Sequence, residues 1–163
     1  MNGIKFLNDG HVVIEDARVI NNFSNFSGEE SQFNRKGDRN FVISIEDPAA
    51  AQTLKDSGWN IKIYVPRNDP DADPVYQLKC KIGYKYSVKP IIKMVQNGRI
   101  TRLDEETIDI LDAMYIERVD LLLNPAHWSN ISGSGVTAWV TEMKAYIQSE
   151  YFDDDLAESE FPE

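Results

Sequence analysis

The stretch that most constrains this chain runs from Tyr76 to Met94 and reads YQLKCKIGYKYSVKPIIKM. From Tyr76 to Val88 every even position is apolar or aromatic: Tyr76, Leu78, Cys80, Ile82, Tyr84, Tyr86 and Val88. The odd positions carry Gln77, Lys79, Lys81, Gly83, Lys85, Ser87 and Lys89. Successive side chains of an extended strand point to opposite faces, so this period of two predicts one buried face and one ladder of lysines with no acid among them. The alternation outruns the usual strand of about 5–6 residues, and Gly83 marks a place where a strand can bulge or coil. A long, bent, basic strand predicts a small barrel rather than a flat sheet. A solvated outer face accounts for the same lysines, because exposed lysines on a strand also discourage edge pairing.

The chain has 163 residues, enough for one domain with a good core and hardly for two. No run approaches the roughly 20 apolar residues that span a bilayer, and the N-terminus lacks the charged-then-apolar layout of a secretory signal. A cytosolic protein is expected. Cys80 is the single cysteine; it cannot form an internal disulfide, and on the apolar face of its strand it reads as a core thiol rather than a nucleophile.

The formal net charge of −10 argues at first against a nucleic-acid partner, but it is unevenly placed. Glu150 to Glu163 holds seven acids and no base, which leaves 20 acids against 17 bases in residues 1–149. Within that body, Lys55 to Arg102 carries ten bases against four acids, so the local field matters more than the total. Residues 149–163 are too acidic and too poor in apolar groups to order themselves and are expected to form a disordered tail.

Along the chain, residues 11–26 predict a strand running into a polar, aromatic segment. Phe33 to Arg39 gathers three bases around a glycine, and Phe41, Ile43 and Ile45 alternate as a second strand. Asp47-Pro48 predicts an N-cap and first helical position, Ala49 to Ser57 a short helix, and Gly58 its stop. A third strand covers Trp59 to Val65. Leu103 and Ile108 bracket Asp104 as a staple around an N-cap; Ile108, Leu111 and Tyr115 then predict a helix from about Glu105 to Met114. Ile116 to Leu123 is expected to be a strand ended by Asn124-Pro125, and Val136 to Ile147 the last one.

Enzyme signals are thin. There is no glycine-rich phosphate loop, no GxSxG and no HExxH, and neither His11 nor His127 is spaced from a second ligand. Asp109 and Asp112 read as a solvated helical face more readily than as a catalytic pair. Asp69, Asp71 and Asp73 have the look of a calcium loop, but proline stands where glycine is needed and Cys80 where the bidentate glutamate belongs.

What recurs is base beside aromatic. Phe23, Phe26 and Phe33 border Arg35, Lys36 and Arg39; Trp59 and Tyr64 flank Lys62; Tyr84 and Tyr86 interleave with Lys81 and Lys85. Such a mixture suits single-stranded nucleic acid, whose phosphates are tracked by cations and whose bases stack on exposed rings. Strict alternation turns Tyr84 and Tyr86 away from the lysines unless Gly83 bulges and shifts the register. Trp59, Tyr64 and Phe33 are therefore the stronger stacking candidates.

The blocks NFSNFSG, FNRKGDRNF and GWNIK, the long strand before Lys89-Pro90, then LDAMYIERVDLLLNPAHW and GVTAWV follow one another in order over roughly residues 20–147. In this the chain resembles a group of bacteriophage single-stranded DNA-binding proteins with an OB-type fold. The resemblance implies a barrel, binding without catalysis, and a place in phage DNA replication, recombination or repair in the bacterial host cytoplasm.

The expectation is thus a mainly β, OB-fold-like, partly open barrel of five or six strands with two short helices over residues 1–148, followed by the acidic tail 149–163. Its predicted nucleic-acid-binding residues are Phe33, Arg35, Lys36, Arg39, Trp59, Lys62, Tyr64, Lys79, Lys81, Lys85, Tyr84 and Tyr86. In the tail, Asp153, Asp154, Asp155, Phe161 and Pro162 are predicted to engage replication or recombination proteins, although the final Glu163 puts a charge where bacterial relatives of this function end in a hydrophobic tip. No cofactor, catalytic residue, metal or membrane is expected, and a homodimer is compatible with the sequence. Two other classes stand beside this reading: a metal-dependent phage nuclease or resolvase using Asp69, Asp71 and Asp73, and an acidic interaction protein that mimics DNA.

Overall fold

Alternating apolar positions give this chain a sheet in which the strands of its centre seal one face from water. A computed structural model describes residues 3–148. The strands are β1 (Gly3–Phe6), β2 (Val12–Val19), β3 (Arg39–Ile45), β4 (Ile61–Tyr64), β5 (Val75–Ile82), β6 (Ile91–Gln96), β7 (Arg99–Leu103), β8 (Ile116–Asn130) and β9 (Gly133–Ile147). One α-helix, α1 (Pro48–Asp56), and 3₁₀ turns at Asn21–Phe23 and Ile108–Ala113 complete the described residues.

Five strands form a closed ring. Antiparallel pairing runs β5-β3-β2-β8-β9, and β9 returns to β5 in parallel through Cys80↔Ala138 and Lys81↔Trp139. The fourth ring strand in chain order, β8, thus lies beside the first, β2, which is the Greek-key layout of an OB-type fold. Strands β1, β4, β6 and β7 extend the sheet outside the ring, so the five or six strands expected become nine among the described residues. A bulge between Ile14 and Ala17 lets β2 leave β1 and take up β3. Asp16 sits there at φ 58, and its N–H donates to the Asp120 carboxylate at 2.9 Å.

The core inside the ring holds Ile14, Phe26, Phe41, Ile43, Leu78, Cys80, Val119, Leu123 and Ala138, all buried. Burial pushes the Cys80 thiol far above its ordinary range, as befits a core group. Helix α1 follows the sequence closely: Asp47 accepts the Ala49 N–H at 3.0 Å, Pro48 opens the helix, and Gly58 follows its end at φ 95. Ala51 and Leu54 are the face it buries.

Four expectations need correction. The long alternating strand stops at Ile82, opposite Arg39 where β3 begins and one residue past its last pairing with β9 at Lys81, and residues 83–90 form a loop before β6. The segment after Asp104 is a 3₁₀ turn starting at Ile108 rather than a helix from Glu105. Its two buried residues, Ile108 and Leu111, lie three apart and share a face at three residues per turn, while Tyr115 is exposed. Strand β8 runs through Pro125 to Asn130, because past Leu123 it has lost its β2 neighbour and a missing N–H at a free edge breaks no ladder. The last strand accordingly starts at Gly133, and β8 and β9 form one long arm.

Candidate nucleic-acid interface

The inward residues of β3 and β5 (Phe41, Ile43 and Ile45; Leu78, Cys80 and Ile82) leave the alternate ones facing out. Register then places Lys81 beside Asn40, Lys79 beside Val42, and Gln77 between Ser44 and Lys62, with Tyr64 of β4 next to Val75. The lysine ladder read from the sequence is therefore real over Lys79 and Lys81, and β4 adds Lys62 to the same face. On this face Lys81 pairs with Asp38 at 3.5 Å.

Residues 20–38, between β2 and β3, fold over one side of this face and are tied down by backbone and amide contacts. Asn25 and Asn40 exchange backbone hydrogen bonds at 2.8 and 3.0 Å. The Asp112 carboxylate accepts the N–H groups of Phe26 and Ser27, both at 2.8 Å. The Asn34 side chain donates to the carbonyls of Glu29 and Asp38 at 2.9 and 3.0 Å and accepts from the Asn40 amide at 2.8 Å. Gly28 and Gly37 cross so closely that a Cβ on Gly28 would lie 2.9 Å from the Gly37 Cα. Phe26 stacks on Phe41 at 5.3 Å inside the core and fastens the segment from below.

What this scaffold leaves outside is a pair of rings. Phe33 is 89% exposed and Phe23 56%. They border a groove of about 690 Å³ whose floor includes Val42, Lys62, Gln77, Lys79 and Lys81. Cations along the floor and free aromatic faces on the rim form a surface that can hold a chain of phosphates and flat bases.

The other expected residues fall elsewhere. Trp59 is 5% exposed and belongs to the core, with β9 reaching across to pair Val136 with it, so it has no free face for the stacking the sequence predicted. Tyr84 is 9% exposed, turned inward as the alternation required, and burial raises its phenol against the opposing pull of Arg39. Arg39 is a structural tie. Its guanidinium donates to the Phe26 carbonyl at 2.6 Å and the Glu105 carbonyl at 3.5 Å, and lies 5.5 Å from the centre of the Tyr84 ring. Arg35 and Lys36 are exposed at the turn of the 20–38 segment. Lys85 and Tyr86 are exposed on the 83–90 loop, on the β9 side of β5. Asp153, Asp154, Asp155, Phe161 and Pro162 lie outside the described residues.

The sequence placed Phe23 beside the bases but outside the predicted site, and Gln77 of the floor was missed. Gln77 shares the odd phase of the lysines, and that signal could have found it. Among the described residues no helix is long and apolar enough to cross a membrane, and no three His, Cys, Asp or Glu side chains are gathered to hold a metal.

Against known proteins, the family model for phage ssDNA-binding domains matches residues 1–162. The structure is similar to the single-stranded DNA-binding protein of bacteriophage Enc34 in complex with ssDNA, with a TM-score of 0.57 and 11% identity over 88% of this chain and 89% of that one. A C-terminal truncation of the Enc34 protein gives a TM-score of 0.54 and 12% identity, covering 88% of each chain. These likenesses are of fold. No curated protein matches the sequence.

Proposed function

The chain belongs to the phage ssDNA-binding domain family, and from that premise we propose that it holds single-stranded DNA, without sequence preference and without catalysis, along the outer face of β3, β5 and β4. In an OB-type fold the outer face of the second and third ring strands, with the loop joining the first two, is where oligonucleotides lie. Here those parts are β3, β5 and residues 20–38. Lys62, Lys79 and Lys81 neutralise phosphates, with Arg35 and Lys36 at the approach. Phe33, Phe23 and Tyr64 offer faces for stacking, worth about 1–3 kcal/mol per base.

The observation that carries this reading is the register that sets Lys79 and Lys81 in the floor of a groove rimmed by Phe23 and Phe33. The setting is DNA replication, recombination or repair in the phage-infected cell, with residues 149–163 as an acidic segment that competes with DNA at low salt and engages partner proteins. Tethering gives such a segment an effective concentration of order millimolar. A chain ending at Gln148 then binds oligo-dT more tightly at low salt, and the difference shrinks as salt screens it.

The test is a titration of intrinsic tryptophan fluorescence with oligo-dT and with duplex, first in EDTA and then with magnesium. Binding predicts a response to oligo-dT that needs no metal and leaves the DNA intact. Cleavage that appears with magnesium would replace this reading by the nuclease. Silence toward both nucleic acids would favour a DNA mimic.

A further inference from the structure

One strand further round the ring from the lysines, the outer surface changes character. Lys81 and Trp139 are Cα partners in the parallel pairing of β5 with β9, so their backbones lie about 4.8 Å apart. Val136, Ala138 and Val140 point into the core, which turns Trp139 outward on the same surface as Lys81. Tyr86, from the 83–90 loop, meets the Trp139 ring edge-on with centroids 5.6 Å apart at 76°. The two rings close over Gly83 so tightly that a Cβ there would lie 2.8 Å from the Trp139 ring and 3.1 Å from that of Tyr86. Tyr86 itself stays 56% exposed.

Between this ring pair, Val88 and Pro90 lies a pocket of about 350 Å³ with Asn124 and Thr141 on its wall. We propose that this pocket is a second base-stacking site, which takes a nucleobase of the strand already held in the lysine groove. The inference rests on the groove reading and extends it by one subsite. Three observations favour a base over a peptide. Trp139 in the pocket wall is the Cα partner of Lys81, the last cation of the floor. Residues 83–90 carry Lys85 and Lys89 and no acid, so a phosphate beside the pocket meets positive charge; Lys89 is also anchored, donating to the Tyr84 carbonyl. Aromatic and aliphatic walls with the Asn124 amide and the Thr141 and Tyr86 hydroxyls suit a flat ring system with a hydrogen-bonding edge.

The experiment compares oligo-dT affinity of the full chain with that of Tyr86→Ala, Tyr86→Phe and the Lys79→Ala/Lys81→Ala pair, and maps photocrosslinks from an oligo-dT carrying 5-iodouracil. Stacking at ~1–3 kcal/mol predicts a loss of roughly 5- to 150-fold for Tyr86→Ala. Tyr86→Phe keeps the ring and should stay within about twofold of the parent, since stacking needs only the aromatic face. Crosslinks should appear on Tyr86 or Trp139. If the lysine pair loses affinity while Tyr86→Ala binds like the parent and crosslinks are confined to the 20–38 segment, the pocket proposal falls and the groove stands. If neither the lysine pair nor Tyr86→Ala loses affinity, both fall together.

Discussion

Phe33 and Trp59 carry opposite fates for an aromatic ring, and truncating each separates binding from stability. Phe33→Ala removes a ring that touches little, so stability should change by no more than about 0.5 kcal/mol while oligo-dT binding weakens by about 1–3 kcal/mol. Trp59→Ala empties a core position and should cost about 3–5 kcal/mol of stability; urea unfolding checks both variants. Asp104 offers a test by pH. Its exposed carboxylate is held below the ordinary value of 3.8 by the Thr107 hydroxyl and by the N–H groups of Glu106 and Thr107. A lowered folded-state pKa means that the contribution is fully present above pH 3.8 and is lost as pH falls through the lowered value. Asp104→Ala should therefore lower Tm near neutrality, and its deficit relative to the parent should vanish in acid. At this scale the sequence was legible wherever neighbours in the chain decide the outcome, as with Asp47, Pro48 and Gly58 around α1. Trp59 was not, because its bridge partner, Val136, comes from β9 at the far end of the chain.

Among the elements, β6 is held against its own charges. Lys93 stands between Arg102 of β7 and Lys144 of β9 in adjacent registers. Like charges directly opposite one another on a sheet are destabilising. Lys93→Gln should therefore raise Tm at low salt, by an amount that declines as salt is added; a lower Tm would mean that the lysine stem packs more than its charge repels. The β6–β7 hairpin was readable but unread. Asn97 and Gly98 both adopt positive φ, 52 and 78, as a two-residue turn between strands demands, and Asn-Gly is the strongest short signal for one. The β8–β9 arm was hidden for a different reason. Proline usually ends a strand, and only the loss of the β2 neighbour past Leu123 allows Pro125 to sit inside one. The alternation from Tyr76 shows which side chains of β5 face outward, but the end of β5 at Ile82 depends on where its partner β3 begins, at Arg39.

For the whole molecule, a net charge of −10 and a polyanionic ligand are reconciled by placement: the lysines of β4 and β5 share one face, and half of the fourteen residues from Glu150 onward are acids. A strand lying on that face displaces counterions in proportion to the phosphates it gives up to lysines. The measurement that bears most directly on this account is the salt dependence of oligo-dT affinity in the full chain and in Lys79→Ala/Lys81→Ala. Each neutralised phosphate of a single strand contributes about −0.7 to the slope of log K against log salt. The account predicts a linear fall for the parent and a slope shallower by about 1.4 in the double variant, with weaker binding at low salt. A double variant with the parent's slope and affinity would show that the DNA lies elsewhere.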